Sequence, residues 1–244
     1  MPGWNEMGLF DEQLAEIKRF IAEARRGGKV REFRAFSAPP WPAESSLILE
    51  EDTAIELGNP RTASLSLLLW SEGHAVEDGL ISLVGPDVGE VTERSIPFAQ
   101  VIIVRGSFED EYESYQRLRD AVYDTRLSGF MVRALPSRQS LWCRVGREAF
   151  KQGFSLRYLG AALAKSVKEV PSASGVEVLF VTSSADDVER LGGAAGGARR
   201  IIEAMMKMYE EKSFDCETCE YRDVCDEVME LKKIREKLAD EKAV

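Results

Sequence analysis

Five short apolar segments limit this chain to a fold built around a β-sheet. They lie at residues 65–70, 80–84, 100–104, 141–145 and 176–181. Each has the length of an ordinary strand, and the last is rich in β-branched valine, which favours extended backbone. Glycine, proline, asparagine and aspartate separate the first three segments, as expected of strands joined by turns. We therefore predict that residues 47–104 form mostly sheet.

Segments with helical periodicity flank these strands. Apolar residues recur at helical spacing over residues 9–26, and Gly27 and Gly28 then end the run. Residues 108–124 and 147–167 show the same periodicity, the second with an interruption at Gly153. The sequence thus predicts amphipathic helices beside the sheet.

The C-terminal part is predicted to be helical, with interruptions. Ser184 is well placed to cap a helix over residues 185–191, because serine hydroxyls accept hydrogen bonds from the first backbone N–H groups of a helix. The glycine-rich residues 192–197 are expected to break that helix and to form a flexible connector. A helix over residues 199–209 and a charged helix over residues 226–242 should follow.

Composition excludes several classes of function. The chain has 244 residues, 44 % of them hydrophobic, and its net charge of -10 argues against sequence-independent binding to nucleic acid. Residues 1–6 lack the basic flank and apolar run of a secretion signal, and no apolar segment approaches the roughly 20 residues of a membrane span. The single histidine, His74, excludes a Ser-His-Asp triad. We expect a cytoplasmic protein with protein or small-molecule partners.

The strongest chemical signal is the segment that contains Cys216, Cys219 and Cys225. A Cys-x2-Cys-x5-Cys spacing lets three thiolates face one metal centre. The three interpretations are an iron-sulfur cluster, a zinc ion and plain cysteines, and ligand type and spacing favour a 4Fe-4S cluster. The spacing is similar to that of the iron-sulfur segment in RecB-like nucleases, although the nuclease pattern of carboxylates and lysine is lacking.

A 4Fe-4S cluster or a tetrahedral zinc ion needs a fourth ligand. The remaining cysteine is Cys143, in the predicted strand at residues 141–145. In the nucleases that the spacing resembles, a distant upstream cysteine completes the set. Cys143 is therefore either the fourth ligand or a small buried apolar residue.

Several further segments lie in the order and spacing of one known family. They are residues 56–62 (Glu-Leu-Gly-Asn-Pro-Arg-Thr), 83–88 (Leu-Val-Gly-Pro-Asp-Val) and 142–150 (Trp-Cys-Arg-Val-Gly-Arg-Glu-Ala-Phe), followed by Gly153 and the Leu-Gly pair at 159–160. Over about residues 55–181 the chain resembles the middle domain of acetyl-CoA synthase, which is the beta subunit of the CO dehydrogenase/acetyl-CoA synthase complex. The cysteine segment lies where the cluster-binding cysteines of that family begin.

This resemblance implies a place in anaerobic one-carbon metabolism. In the family, a nickel-containing centre attached to a 4Fe-4S cluster joins CO, a corrinoid-borne methyl group and CoA into acetyl-CoA. The family's fourth cluster cysteine and its nickel-binding Cys-Gly-Cys segment have no counterpart in this sequence, so we do not expect acetyl-CoA synthesis by this chain alone. Because guanidinium groups suit phosphates, four residues are candidates for the surroundings of CoA, with solvated arginines and a core tryptophan as the alternative. They are Arg61, Arg138, Trp142 and Arg144.

The predicted fold class is α/β or α+β, with a mixed sheet and flanking helices. Residues 1–44 form a helical arm and proline-rich linker, residues 45–190 the domain similar to the acetyl-CoA synthase middle domain, and residues 191–244 a helical iron-sulfur tail. The leading hypothesis is an accessory or electron-transfer protein that docks on a corrinoid protein or on a CO dehydrogenase/acetyl-CoA synthase component. The alternatives are a truncated acyl or methyl transferase that acts with a partner, and a zinc-stapled interaction module.

Overall fold

The structure, a computed structural model, describes residues 8–72, 76–108, 110–134, 140–210 and 219–242. Within these residues the chain forms mixed sheets with helices around them. The strands are β1 (Val30–Arg34), β2 (Thr53–Leu57), β3 (Ser64–Ser71), β4 (Leu80–Val84), β5 (Ser95–Ile96), β6 (Phe98–Gly106), β7 (Phe130–Ala134), β8 (Trp142–Gly146) and β9 (Ala173–Val181). The helices are α1 (Asp11–Arg26), α2 (Glu111–Tyr123), α3 (Arg147–Lys151), α4 (Leu156–Lys168), α5 (Ala185–Glu189), α6 (Gly192–Glu210), α7 (Arg222–Glu227) and α8 (Met229–Lys242).

The larger sheet has five strands in the order β1-β4-β9-β6-β3. The pairs β4 with β9 and β6 with β3 are parallel, whereas β1 with β4 and β6 with β9 are antiparallel. The two central strands, β9 and β6, are buried along nearly their whole length. Continuous apolar strands of this kind are typical of a sheet covered on both faces.

A smaller sheet of four strands has the order β5-β2-β8-β7. Strand β8 lies between β2 and β7 and is antiparallel to both. Side chains of β8 alternate between the two faces, so that Cys143 and Val145 point one way and Trp142 and Arg144 the other. The prediction of an α/β or α+β fold with a mixed sheet and flanking helices is confirmed.

Two of the glycines in the segments shared with the known family fill positions that only glycine suits. Gly58 has φ +65°, and a Cβ atom there would collide with the carbonyl oxygen of Leu141. Gly85 has φ +110°, and a Cβ atom there would lie 2.5 Å from the backbone nitrogen of Ser183. Non-glycine residues rarely adopt such positive φ angles. These glycines therefore bring neighbouring segments into close contact.

The segment at residues 83–88 also positions helix α4. One carboxylate oxygen of Asp87 accepts a hydrogen bond from the Ser155 hydroxyl at 2.5 Å, and the other accepts one from the Leu156 backbone N–H at 2.9 Å. Helix α4 then packs on β9 and β4, where a Cβ atom at Gly160 would lie 2.9 Å from the side chain of Ile81. The motif thus has a structural role in joining the sheet to its covering helix.

The structure confirms most of the predicted elements and corrects one of them. Ser184 caps α5, because its hydroxyl accepts a hydrogen bond from the Asp187 N–H at 3.1 Å. The prediction that residues 192–197 break the helix and form a flexible connector is wrong, because helix α6 begins at Gly192. Helix α1 packs on α6, and a Cβ atom at Gly197 would lie 2.8 Å from the amide nitrogen of Gln13. Close helix packing has outweighed the low helix propensity of glycine.

The C-terminal helices also differ from the prediction. Helix α7 contains Cys225, so that this cysteine does not lie in an irregular segment. Val228, with φ -93° and ψ 105°, separates α7 from α8, where one helix was predicted. In the N-terminal region, β1 was not predicted, and it pairs with β4 of the larger sheet. None of the helices in the described ranges is both long enough and apolar enough to cross a membrane.

Candidate functional site

Two cysteines of the predicted metal-binding segment line one small cavity among the C-terminal helices. Cys225 is buried in α7, and Cys219, just before that helix, is half-buried. The cavity is lined by Ala204, Lys207, Met208, Cys219, Tyr221, Arg222, Cys225 and Arg235. Cys216 lies outside the described residues. The structure thus places two of the three predicted thiols at one cavity.

Charged side chains surround this cavity in ion pairs. Lys207 Nζ lies 3.7 Å from a carboxylate oxygen of Glu220. Asp226 lies 3.7 Å from Arg222 Nε and 3.0 Å from Arg235 Nη1. Among the residues described on either side of the gap at 211–218, no group of three or more His, Cys, Asp or Glu side chains is placed to hold a metal ion.

Cys143, the predicted fourth ligand, lies in β8 and is completely buried. Its neighbours on the adjoining strands are Leu57 of β2 and Val132 of β7. Burial raises the pKa of the Cys143 thiol, so its neutral form is favoured in this apolar setting. Its assignment as a cluster ligand stays a prediction.

The candidates for the surroundings of CoA occupy different environments. Arg144 is buried, and its Nε donates a hydrogen bond to Glu56 Oε1 at 2.9 Å while Nη1 donates to the Ile48 carbonyl at 3.3 Å. The guanidinium of Arg133 lies 4.4 Å from the centre of the Trp142 ring system. A cation over a tryptophan face is attracted by the negative face of the ring. The outer face of β8 is therefore a packed arginine and tryptophan cluster.

Glu56 is held as a carboxylate in this cluster. Burial acts to raise its pKa, but hydrogen bonds from Asn59 and Arg144 outweigh that effect and lower the pKa below its ordinary value. The Nε1 group of Trp142 is buried and has no hydrogen-bond partner among the described residues. Arg61 is exposed, and Arg138 lies outside the described residues. The assignment of these residues to CoA stays a prediction, and Arg144 is already engaged by Glu56.

A larger groove lies beside β3, at the edge of the five-stranded sheet. Its volume is about 670 Å³. Helices α2, α4 and α6 and strand β7 contribute its walls. The lining residues are Ser66, Leu67, Leu68, Gln100, Tyr115, Arg119, Asp120, Val122, Tyr123, Thr125, Phe130, Val132, Leu141, Leu159, Leu163, Arg199, Ile202, Glu203 and Met206. A mainly apolar groove with few polar groups is the ordinary form of a small-molecule site.

Sequence reasoning missed several residues of these sites. Gln100 was taken only as the first residue of an apolar strand, although a polar side chain in such a run is a detectable signal. The basic residues Lys207 and Arg235 carry no local pattern that connects them with the cysteines. Arg133 gave no signal either, because its position over Trp142 depends on the pairing of β7 with β8.

The comparisons with known proteins agree on one family. A family model described as the CO dehydrogenase/acetyl-CoA synthase complex beta subunit matches residues 42–187. The acetyl-CoA decarbonylase/synthase complex subunit beta of Archaeoglobus fulgidus is 25 % identical over 220 residues, which cover 88 % of this chain and 39 % of that protein. The subunit of the same name from Methanothermobacter thermautotrophicus is 32 % identical over 145 residues, covering 58 % of this chain and 31 % of the relative.

A third relative shows the same partial coverage. The acetyl-CoA decarbonylase/synthase complex subunit beta of Methanopyrus kandleri is 30 % identical over 162 residues, which cover 65 % of this chain and 33 % of that protein. The chain therefore spans between about a third and two fifths of the length of the curated relatives it matches.

Proposed function

The chain belongs to the CO dehydrogenase/acetyl-CoA synthase complex beta-subunit family. We propose that it is an iron-sulfur protein with an accessory or electron-transfer role in anaerobic one-carbon metabolism. The resemblance stated from the sequence is confirmed at the level of the family. The function of the whole relatives does not transfer directly, because the matched region is only part of their length. The proposal therefore rests on the cysteine-lined cavity.

The observation that carries the proposal is the meeting of Cys219 and Cys225 at one cavity next to basic side chains. Thiolates are the ordinary ligands of 4Fe-4S clusters. Cys216 precedes Cys219 by three positions, so it would supply the third thiolate. These donors fit a cluster in type and spacing. Cys143 is the remaining candidate for the fourth.

The protein's own contribution is to hold and surround these thiols. Helix α6 supplies Lys207 and Met208 to the cavity, and α8 supplies Arg235. When bound, the cluster would accept and release one electron. The apolar contacts of Val224 and Cys225 with the core fix α7 against the rest of the protein.

The family also supports a protein partner. The relatives are named as subunits of a multi-subunit complex, and we propose that this chain docks on a corrinoid protein or on another component of such a complex. Leu47 and Leu49 project apolar side chains into solvent, with 84 % and 48 % of their surface exposed. The proposal includes a cytoplasmic location.

The test is the visible absorption spectrum and metal content of protein purified without oxygen. We expect a brown protein with about four irons per chain, as a cubane cluster requires. Cys219→Ala and Cys225→Ala should lose the colour and the iron. Cys143→Ala makes the same chemical change in β8, and circular dichroism would verify that each variant is folded.

Each result discriminates between functions. Loss of the cluster in Cys143→Ala would establish ligation by four cysteines and support electron transfer. A cluster that persists in Cys143→Ala would indicate an iron open to substrate and favour the acyl or methyl transferase. A colourless protein with one zinc per chain, or a protein with neither metal, would contradict the iron-sulfur proposal.

A further inference from the structure

Gln100 is a buried polar side chain whose hydrogen-bonding groups are unused. It lies in β6, is only 5 % exposed and lines the groove beside β3. Across the five described ranges, its side-chain amide makes no hydrogen bond. Its amide atoms are not among the fully enclosed atoms without a partner, so the small part of Gln100 that stays accessible is the amide, and it opens into the groove. No protein group competes for this amide, so a ligand in the groove can take the place of water as its hydrogen-bond partner.

Two further polar groups line the same groove as Gln100. Ser66 of β3 is its registered partner, and directly opposed residues of paired strands present their side chains on the same face of the sheet. Tyr115 of α2 lines the same groove, and burial raises the pKa of its phenol, which keeps it a neutral hydrogen-bonding group. We propose that the groove binds a small neutral molecule with an extended apolar body and a carboxamide, which Gln100 recognises.

The charges at the groove favour a neutral occupant. Arg119 Nη2 lies 3.0 Å from a carboxylate oxygen of Asp120, and Arg199 Nε lies 3.9 Å from one of Glu203. Both basic side chains of the groove are therefore balanced by carboxylates. The carboxylates would repel an occupant with several phosphates, whereas a neutral molecule is not repelled by them.

The size and chemistry of the groove define the occupant further. A volume of about 670 Å³ lies within the usual range for sites that enclose one small molecule. Leu67, Phe130 and Leu163 supply apolar walls for its body. The glutamine amide both donates and accepts hydrogen bonds, so it is complementary to a carboxamide, which does the same. A ketone of equal shape can only accept.

The groove is separate from the cysteine-lined cavity. It uses Arg199, Ile202, Glu203 and Met206 of α6, which recur at spacings of three and four and so share one face of the helix. The cavity uses Ala204, Lys207 and Met208 of the same helix, on a different face. Binding in the groove does not depend on whether the cysteines hold a metal.

The experiment compares octanamide with nonan-2-one, in which a methyl group replaces the amide NH₂. Both are titrated into the full chain by isothermal calorimetry, and the side-chain amide signals of the protein are followed by NMR. We expect octanamide to bind at least about fivefold more tightly, the worth of one hydrogen bond. The side-chain amide resonance of Gln100 should shift on binding.

Variants locate the effect. Gln100→Leu should abolish or reverse the preference for octanamide, whereas Gln152→Leu, the same change at an exposed position, should leave it intact. Val132→Glu at the groove wall should weaken both ligands, and Leu47→Glu at another exposed site should not. Equal affinities for the two ligands, no binding at their solubility limits, or an unchanged preference in folded Gln100→Leu would each overturn the proposal.

Discussion

The central strands of the five-stranded sheet are held mainly by apolar burial, whereas the C-terminal helices combine a narrower apolar face with exposed ion pairs. In β9, Val178, Leu179, Phe180 and Val181 are completely buried. In the C-terminal tail, defined here as α7 and α8, exposed ion pairs predominate on the surface. Burial of apolar surface depends little on pH or salt, whereas ion pairs between exposed groups depend on both. The ion-pair part of the tail's attachment should therefore weaken under conditions that leave the sheet intact, whereas its apolar contacts, such as those of Leu231, should persist.

This difference matters for the proposed metal site. Cys219 and Cys225 lie at the junction of the tail with α6. A metal bound there would add to the apolar contacts and ion pairs that hold the tail, because a ligand stabilises the state that binds it. The following predictions test whether the sheet and the tail are as different as this comparison states.

The largest effect is expected in the sheet, from Phe180→Ala. Phe180 is fully buried and stacks on Phe98 with ring centres 5.8 Å apart. Its removal should lower the free energy of unfolding by about 3–5 kcal/mol, the usual cost of a large core cavity. Urea unfolding followed by circular dichroism measures this. Phe36→Ala, where the ring is 60 % exposed, should cost less than about 1 kcal/mol, and equal costs would contradict the comparison.

The ion pair between Arg144 and Glu56 in the smaller sheet should behave unlike the exposed ion pairs of the tail. Arg144→Met leaves the partly buried Glu56 carboxylate with Asn59 as its remaining hydrogen-bond donor, which should cost about 2 kcal/mol in urea unfolding. Asn59 and Arg144 both lower the pKa of Glu56, so the pKa of Glu56 is higher in the variant than in the wild type. The stability difference between the two proteins should therefore grow as the pH rises through the range in which Glu56 ionises.

The double variant Arg144→Met with Glu56→Leu is the control for this pair. It removes both charges and should recover most of the stability, because an apolar pair carries no desolvation cost. Arg133→Met removes a cation that is exposed beside Trp142, and it should cost less than about 1 kcal/mol. If the double variant is as unstable as the single one, Arg144 acts by packing rather than through its charge.

The sequence predicted the sheet better than the contacts between distant elements. The apolar segments at residues 80–84 and 176–181 became strands because their own composition requires burial. Strand β1 was missed, because three of the five residues in its sequence Val-Arg-Glu-Phe-Arg are charged and it becomes a strand only by pairing with β4. The glycine-rich start of α6 was misread, because helix α1 decides its structure.

The candidate site was predictable only in its local part. Cys219 and Cys225 were found because their spacing along the chain already implies a common centre. The groove could not be found, because Gln100, Tyr115 and Val132 come together only when both sheets and α2 are in place. Whether Cys143 is a metal ligand depends on the distance between β8 and the C-terminal cysteines, and the spacing along the sequence does not define that distance.

Glu230 should make the attachment of the tail depend on pH. Burial is the main cause that raises the pKa of its carboxyl to about 7. A hydrogen bond from the Leu9 N–H opposes it, and the carboxylates of Glu111, Asp11 and Glu72 contribute to it. Below the ordinary pKa of 4.5 the folded and unfolded states are both protonated. As the pH rises from there to about 7, only the unfolded state ionises, so stability falls.

Hydrogen exchange of α8 amides at several pH values, corrected for intrinsic rates, measures this loss of stability. The wild type should be less protected at pH values above that pKa than below it, and Glu230→Gln should remove much of the difference. Glu236→Gln, at an exposed position of the same helix, is the matched control and should behave as the wild type. If the protection of the tail is the same throughout this range, the ionisation of Glu230 does not change its stability, and the prediction is wrong.

The smallest effect should come from the surface of the tail. Arg200 donates two hydrogen bonds to Asp223 of α7, at 2.8 and 2.7 Å, but both side chains are exposed. Exposed pairs contribute little, because water and salt screen their attraction. Arg200→Ala should therefore change the exchange of α7 amides only at low salt, and less than Val224→Ala, which removes a buried contact of the same helix. If Arg200→Ala frees α7 even at high salt, the tail is anchored through this pair, and its apolar contacts are too weak to hold the cysteines in place without metal.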